Sequence, residues 1–409
     1  MAKHDNLLVG LDIGTTKICV IVGEVEEKRI DIIGIGTHPS KGLKKGMVVN
    51  IDSTVESVKR AVEEAEMMAG VEINSVYTGI AGGHIQGFNG RGVIAVKEGE
   101  ITRGDIERVL EAAKVVSIPA DREILHVIPQ EYIVDGQDGI RDPFGMSGTR
   151  LEVCVHIITG AVTSAQNIVK CVKKAGLDTM DVILQPLASS EAVLTPEEKD
   201  LGVLVIDIGG GTTDMAIFVE GAVRHTAVLP IGGNHLTNDI AIGLRTPPHE
   251  AEKLKIRYGC ALTEMVKENE TVEVPGVGGR PPRIMSRQLL SEVIEPRAEE
   301  IFTLAAAEIE KAGFEDKVPS GVVLTGGTSL TPGMVELCEQ ILNLPTRLGV
   351  PSNLGGLIDI VRSPIYATGV GLLLYAHHNQ ERKMAASSKR GGFINRIKEK
   401  MKEWAKEFF

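Results

Sequence analysis

An α/β protein built from two related halves around a shared cleft is the fold that this sequence predicts. Three observations carry it. An apolar strand run, an acidic Gly-Thr loop and a second apolar run occur near residues 7–22 and again near 203–219, with Asp12 and Asp207 195 residues apart. Strand-like runs alternate with amphipathic helical ones along the body. The composition, 46 Gly and 18 Pro in 409 residues with 43% hydrophobic residues, fits packed layers joined by tight loops and argues against disorder. At ~100–200 residues per domain, the length suggests two to four domains.

Residues 7–10 and 18–22 read as buried strands, and the short loop between them predicts an antiparallel hairpin. Residues 29–36 read as a third strand. Asp52 or Ser53 is expected to cap a helix running to about residue 69, with Val55, Val58, Ala61, Val62, Ala65 and Met68 on its apolar face and Gly70 at its end. Residues 71–81 return as a strand. The character then changes. Gly-rich turns, a strand at 92–97, a helix near 103–116 and strands near 124–134 and 152–159 suggest a small inserted α/β module. Thr163 and Gln166 read as a capping box for a helix ending at Gly176. A strand at 182–184 leads to a helix begun by Pro186, and the polar stretch 194–200 reads as a boundary.

The second half opens with strands at 203–206 and 215–219. Helices follow near 235–243 and 248–258, then a polar, Gly/Pro-rich stretch over 267–283 that reads as hairpin and turns. Residues 286–312 predict one long helix or two, with a kink at Pro296, and 321–324 a strand ending in Thr325-Gly326-Gly327-Thr328. Thr331-Pro332 reads as an N-cap with proline in the first helical position, and 364–376 as an apolar closing helix.

Charge and cysteine usage narrow the function classes. The formal net charge of −11 disfavours a broad nucleic-acid surface. Residues 379–409 carry nine Lys/Arg against four Glu, so this segment is +5 and the rest −16. Five scattered cysteines, Cys19, Cys154, Cys171, Cys260 and Cys338, have no metal-ligand spacing and are expected to be buried free thiols of a reducing compartment. No secretory signal is read at the start, and the body is expected to be soluble and cytoplasmic. His126, His156 and His225 alternate with apolar residues and are expected to be structural.

The chemistry sits in the two loops. Asp12-Ile13-Gly14-Thr15-Thr16-Lys17 and Asp207-Ile208-Gly209-Gly210-Gly211-Thr212-Thr213-Asp214 share one plan. Glycine lets backbone approach a phosphate, and threonine hydroxyls and backbone N–H groups donate to it. Lys17 adds a point charge. Asp12 and Asp207 need a reason to stay ionised beside a polyphosphate, and Mg2+ with its waters provides one. One such loop alone is most simply a tight hairpin; the pair, with Gly326-Gly327 between strand and helix, points to a nucleotide gripped from both sides. No GxxxxGK[ST] occurs, and a strand rather than a helix follows each loop, so neither a P-loop nor a dinucleotide fingerprint is present.

These loops and Gly326-Gly327 resemble the nucleotide-binding signature of the actin, Hsp70 and sugar-kinase superfamily, with its duplicated ribonuclease H-like domains. More closely, essentially the whole chain resembles the FtsA family of bacterial actin-like cell-division proteins, including the run Gly232-Gly233-Asn234-His235-Leu236-Thr237-Asn238-Asp239-Ile240-Ala241 and Glu250-Ala251-Glu252-Lys253-Leu254-Lys255. The resemblance implies subdomain 1A at 1–83 and 161–200 with a closing segment at 359–378, an inserted 1C at 84–160, 2A at 201–234 and 306–358, and 2B at 235–305. It implies ATP and Mg2+ as cofactors. Asp12 and Asp207 would be the carboxylates around the metal. Gly14, Thr15, Thr16, Lys17, Gly209, Gly210, Gly211, Thr212, Thr213, Gly232, Gly233, Gly326 and Gly327 would contact nucleotide, with Glu252 and Lys255 as a nucleotide-side pair. Gln185, before Pro186, would orient the attacking water, in at most a weak Mg2+-dependent ATPase. The implied partners are FtsZ through 2B, a second copy in an actin-like filament, and later division proteins through 1C.

The C-terminal end is the second signal. Residues 379–392 read as a flexible linker. In residues 393–409, Phe393, Ile394, Ile397, Met401, Trp404, Ala405 and Phe408 recur at three- and four-residue steps, with Arg396, Lys398, Lys400, Lys402 and Lys406 mainly off that face. Such a helix suits an anionic membrane surface, although three Glu residues moderate the attraction. The resemblance places a membrane-targeting sequence here, and so implies a peripheral protein on the cytoplasmic face of the inner membrane at the septum. A small-molecule kinase of the same superfamily is the rival reading; it needs a general-base Asp that the sequence does not clearly mark. A chaperone needs a peptide-binding domain after the nucleotide domain, for which the stretch beyond Ala376 is too short.

Overall fold

The structure is a computed structural model that describes residues 6–26 and 29–380. The amphipathic segment 393–409 and the linker beyond residue 380 lie outside the described residues.

In the first half, β1 (Leu7–Ile13), β2 (Lys17–Glu26) and β3 (Arg29–Pro39) form an antiparallel meander in which Asp12 faces Cys19. A small hairpin, β4 (Leu43–Lys44) and β5 (Met47–Val48), leads into α1 (Ile51–Ala69). Helix α1 packs directly on β3, because a Cβ at Gly36 would stand 1.9 Å from the Ala61 carbonyl oxygen. The N-cap of α1 is Asn50 rather than Asp52 or Ser53; its side chain accepts from the Ser53 N–H at 3.0 Å. Gly70 closes the helix in the left-handed conformation expected of it. Asn50→Ala is expected to cost about 1 kcal/mol, read as a lower urea midpoint with an unchanged slope. Strand β6 (Ser75–Ile80) then runs parallel to β1.

The inserted module comprises β7 (Gln86–Ala95), α2 (Arg103–Ala113), β8 (Arg122–Val134), β9 (Gln137–Ile140) and β10 (Arg150–Ala161), with sheet order β7-β10-β8-β9 and its own core around Ile101, Val109, Leu151 and Val153. Its sheet docks on the second half. His156 Nδ1 donates to Asn89 Oδ1 (2.8 Å), and its Nε2 accepts from Thr226 Oγ1 across the junction (2.9 Å). Burial holds this ring neutral, with its pKa lowered to about 4. Gln130 Nε2 donates to the Val223 carbonyl (2.9 Å), and Arg141 reaches Asp200 (2.9 Å).

Strand β10 runs straight into α3 (Val162–Lys174). The expected capping box at Thr163 is absent: the N-cap is Ala161, without a side-chain cap, and Thr163 is already helical. Strand β11 (Asp178–Leu184) pairs parallel with β6, and α4 (Gln185–Val193) begins at once behind it. The stretch read as a plain boundary forms α5 (Pro196–Leu201), closed by a Thr195–Glu198 capping box with Pro196 in the first turn.

The second half repeats the plan. Strands β12 (Val203–Ile208), β13 (Thr213–Val219) and β14 (Ala222–Leu229) form the meander, with Asp207 facing Asp214. Helices α6 (Gly233–Gly243) and α7 (Pro248–Tyr258), the hairpin β15 (Thr271–Val274) and β16 (Arg283–Ser286), and α8 (Arg287–Ala312), continuous through Pro296, follow. Then come β17 (Val322–Thr325), parallel to β12, α9 (Met334–Leu342) and β18 (Thr346–Leu348). Helix α9 starts after Gly333, in the left-handed region at φ 85°, and not at Thr331-Pro332; the Pro332 carbonyl instead accepts the Ala261 N–H at 2.7 Å. Strand β19 (Gly355–Gly356) returns to β3, α10 (Ile358–Val361) follows, and a closing helix covers residues 367–380.

The sheet orders are β11-β6-β1-β2-β3-β19 and β14-β13-β12-β17-β18. Apart from the β19 edge, both read parallel, parallel, then a two-step antiparallel meander. Alternation along β12 joins the halves: Val203 and Val205 pack into the first core, Leu204, Ile206 and Ile208 into the second. Of the five cysteines, all are free; four are buried, and Cys154 is half-buried rather than buried as expected.

Candidate functional site

Each half carries an aspartate as the penultimate residue of its first strand, just before a turn of small, donor-rich residues. In the second loop, Gly209 N–H donates to the Thr212 carbonyl (3.0 Å), and in the first, Gly14 N–H donates to Lys17 (3.1 Å). The two turns meet tip to tip. A Cβ at Gly210 would lie 1.8 Å from Thr16 Oγ1, and one at Gly211 2.5 Å from Thr15 Oγ1. Only glycine lets the loops close to this distance. Thr15 is fixed in turn, since its Oγ1 accepts from the Gly46 N–H at 2.9 Å. The loops border a cleft of about 360 Å³, within the ~300–1,000 Å³ of small-molecule sites.

Three carboxylates are buried together here. Asp12 Oδ1 accepts from Gln185 Nε2 at 3.0 Å. Asp207 Oδ2 accepts from Ser189 Oγ at 2.5 Å and from Thr368 Oγ1 at 3.2 Å. Asp214 Oδ2 accepts from Thr212 Oγ1 at 2.9 Å, while its Oδ1 is buried with no hydrogen-bond partner. Burial raises all three. Asp12 rises to about 6, with Lys17 opposing the shift and Asp207 adding to it. Asp214 rises to about 8 through burial and then the charge of Asp207. For Asp207, burial raises the pKa, and the Ser189 and Thr368 hydroxyls pull the other way. Lys17 is the cation within electrostatic reach of Asp12 and Asp207; its Nζ donates to the Ile365 carbonyl (2.9 Å) and lies 4.3 Å from the Tyr366 ring centre. Among the described residues, no three His, Cys, Asp or Glu side chains converge as a protein-only metal cage. Raised carboxylates and an orphaned buried oxygen fit a hard cation whose remaining ligands are phosphate and water.

The third wall comes from β17 and α7. Gly326 has φ 85°, and a Cβ there would stand 2.4 Å from Asp207 Oδ1. Lys255 is buried, donates to the Gly233 carbonyl (3.1 Å) and Thr237 Oγ1 (2.9 Å), and pairs with Glu252 Oε2 (2.8 Å). The cleft is thus lined by Asp12, Gly14, Thr15, Thr16, Lys17, Gln185, Asp207, Gly209, Gly210, Gly211, Thr212, Glu252, Lys255, Gly326 and Gly327.

Three expected site residues stand behind this lining. Thr213 is buried and its hydroxyl donates to the Ile231 carbonyl (2.9 Å). Gly233 N–H donates to the Gly209 carbonyl (2.9 Å), and a Cβ at Gly232 would lie 2.7 Å from that same oxygen, so both brace the second loop. Asp214, Asn234, Ile256, Thr328, Ile365 and Thr368 also line the cleft and are not among the expected site residues. For Asp214 a signal existed: the 195-residue offset that relates Asp12 to Asp207 also relates Cys19 to Asp214, and a carboxylate in place of a thiol is the one charged departure at that position.

Duplicated halves with two facing Gly-Thr hairpins and shared carboxylates define the actin-like class of phosphate-cleft proteins. The described fold is similar to a PilM-PilN type IV pilus biogenesis complex (TM-score 0.66, 17% identity, covering 92% of this chain and 99% of that one). It is also similar to MreB 5 of Spiroplasma citri bound to AMPPNP (0.57, 14%, covering 95% and 100%) and to the MamK double helical filament (0.53, 13%, covering 90% and 98%). The family described as cell division protein FtsA matches residues 204–371, and the SHS2 domain inserted in FtsA matches residues 82–159. Cell division protein FtsA of Pseudomonas aeruginosa is 53% identical over 100% of this chain and 99% of its own, and that of Neisseria meningitidis 50% over 91% of each. The Escherichia coli K12 relative is 44% identical over 97% of each. The chain belongs to the FtsA family. Membership makes it an ATP-binding, actin-like, FtsZ-tethering cell-division protein. No described helix is long and apolar enough to cross a membrane.

Proposed function

We propose that the chain holds Mg2+–ATP between its two hairpins, assembles with copies of itself on the cytoplasmic face of the inner membrane at the septum, and there ties FtsZ to lipid. The observation that carries this reading is the tip-to-tip contact of Gly210 and Gly211 with Thr16 and Thr15, beside three buried carboxylates. Backbone N–H groups of both loops, with the Thr15, Thr16 and Thr212 hydroxyls, bind the phosphates. Lys17 neutralises them, and Glu252, Lys255, Gly326 and Gly327 border the nucleoside side, with Thr213, Gly232 and Gly233 as supports. Asp12 and Asp207 would hold the metal. Bound Mg2+ would supply the positive charge that lets these carboxylates ionise and that spreads the phosphate charge.

Gln185 is held by Asp12 through its Nε2, which leaves its Oε1 to accept from a water in the cleft. That is a positioning role, and it supports at most slow hydrolysis, since phosphoryl transfer depends mainly on alignment and charge. The inserted module at 84–160 is the proposed contact for later division proteins, and the 2B region at 235–305 that for FtsZ.

Lipid contact is assigned to Phe393, Ile394, Ile397, Met401, Trp404 and Phe408. At ~25 cal/mol/Å², a few hundred Å² of apolar burial gives several kcal/mol before ordering costs. Each nearby Lys or Arg adds ~1 kcal/mol, opposed by the Glu residues. One such anchor binds weakly and reversibly; many on one filament hold firmly through avidity. The test compares the full chain with one ending at Ala386 in co-sedimentation with anionic liposomes, ATP and FtsZ. The full chain is expected to pellet several-fold more than the shortened one; equal pelleting overturns the tether.

A further inference from the structure

The hydroxyls that hold Asp207 come from two helices far from it in sequence. Asp207 is the penultimate residue of β12. Ser189 lies on α4, which packs on β6 and β11 of the first half and on β12, β13 and β17 of the second, and Thr368 lies at the start of the closing helix. Ser189 Oγ is fully buried and donates to Asp207 Oδ2 at 2.5 Å. Thr368 Oγ1 donates to the same oxygen at 3.2 Å and lies 3.1 Å from Ser189 Oγ. The two helices are locked together beneath this group, because a Cβ at Gly371 would lie 1.8 Å from the Ala188 carbonyl oxygen. The hydroxyls therefore sit on a rigid pair of helices and engage one oxygen only. The other, Oδ1, is crowded by the Gly326 backbone, so the carboxylate plane is set from both sides.

We propose that Ser189 and Thr368 are positioning residues for Asp207, which fix its carboxylate for the cation-assisted grip on nucleotide. The inference rests on the proposed Mg2+–ATP reading.

The test uses the full chain and a fluorescent ATP analogue, titrated with and without magnesium chloride, for Ser189→Ala, Thr368→Val, Thr368→Ser and the reference variant Asp207→Asn. Melting curves of each variant accompany the titrations. For Ser189→Ala, whose side chain lies behind the cleft lining, nucleotide affinity without magnesium is expected to stay within about twofold of the parent. The extra affinity gained with magnesium is expected to fall about tenfold in Ser189→Ala, the size of one hydrogen bond to a charged group. A smaller loss is expected in Thr368→Val, whose bond is longer, and recovery in Thr368→Ser, which restores the hydroxyl. If Ser189→Ala and Thr368→Val keep the full magnesium gain while Asp207→Asn loses it, the positioning role is overturned and the site reading stands. Equal losses with and without magnesium also overturn it, because they mark a merely structural effect. If Asp207→Asn too keeps the gain, both readings fall.

Discussion

Gly211→Val is expected to weaken ATP binding at least tenfold while the body still folds. The new Cβ would lie 2.5 Å from Thr15 Oγ1 and 2.9 Å from both Thr15 Cβ and Cγ2. The whole threonine side chain stands in the way, so one rotation does not clear it. Thr15 is also committed, because its hydroxyl accepts the Gly46 N–H. Turning it away would leave that donor without its partner. Overpacking of this kind costs about 1–3 kcal/mol, or roughly five- to 150-fold in affinity when borne by the bound state. The added methyls also stand between backbone donors and phosphate. The loop tips border the cleft and not a core, so the melting temperature is expected to move little. Equilibrium titration with a fluorescent ATP analogue reads the loss; parental affinity would show that the nucleotide does not sit between the hairpins.

Asp214→Asn is expected to flatten the fall of stability with pH in the nucleotide-free protein. Burial and the neighbouring Asp207 push Asp214 up from 3.8 to about 8. Between those values the folded chain keeps a proton that the unfolded chain has released. Stability then falls as pH rises, with a slope of at most about 1.4 kcal/mol per pH unit for one group. Asp12, raised to about 6, acts in the same direction over the lower part of the window. The parent should therefore melt at a lower temperature at pH 8 than at pH 6. Asparagine carries no proton to lose, keeps an oxygen for the Thr212 hydroxyl, and should be the more stable of the two at pH 8. A divalent cation favours the ionised carboxylates, so the stabilisation by magnesium with ATP should grow across the same interval. Thermal melts at half-unit pH steps decide the matter, and a slope in Asp214→Asn as steep as the parental one would refute it.

What could be read from the chain was whatever local chemistry dictates. The strand-loop-strand repeats around Asp12 and Asp207 are visible because strand, turn and donor-rich loop are consecutive, and the structure brings the two loops to one cleft. Helix starts were misplaced where several capping residues compete: Asn50, Asp52 and Ser53 fall within four positions, and only Asn50 has the extended backbone of a cap. Thr331-Pro332 looked like a start, but the left-handed turn at Gly333 comes after it. Ser189 and Thr368 carried no sequence signal at all. They lie 179 residues apart and meet Asp207 only because two helices pack backbone to backbone.

The inserted module leaves the chain from the first half, yet its neutral His156 is bonded to Thr226 of β14. That strand runs on through Leu229 into the Gly232-Gly233 turn that braces the second phosphate-facing loop. The inserted module and one wall of the cleft are therefore joined through a single strand.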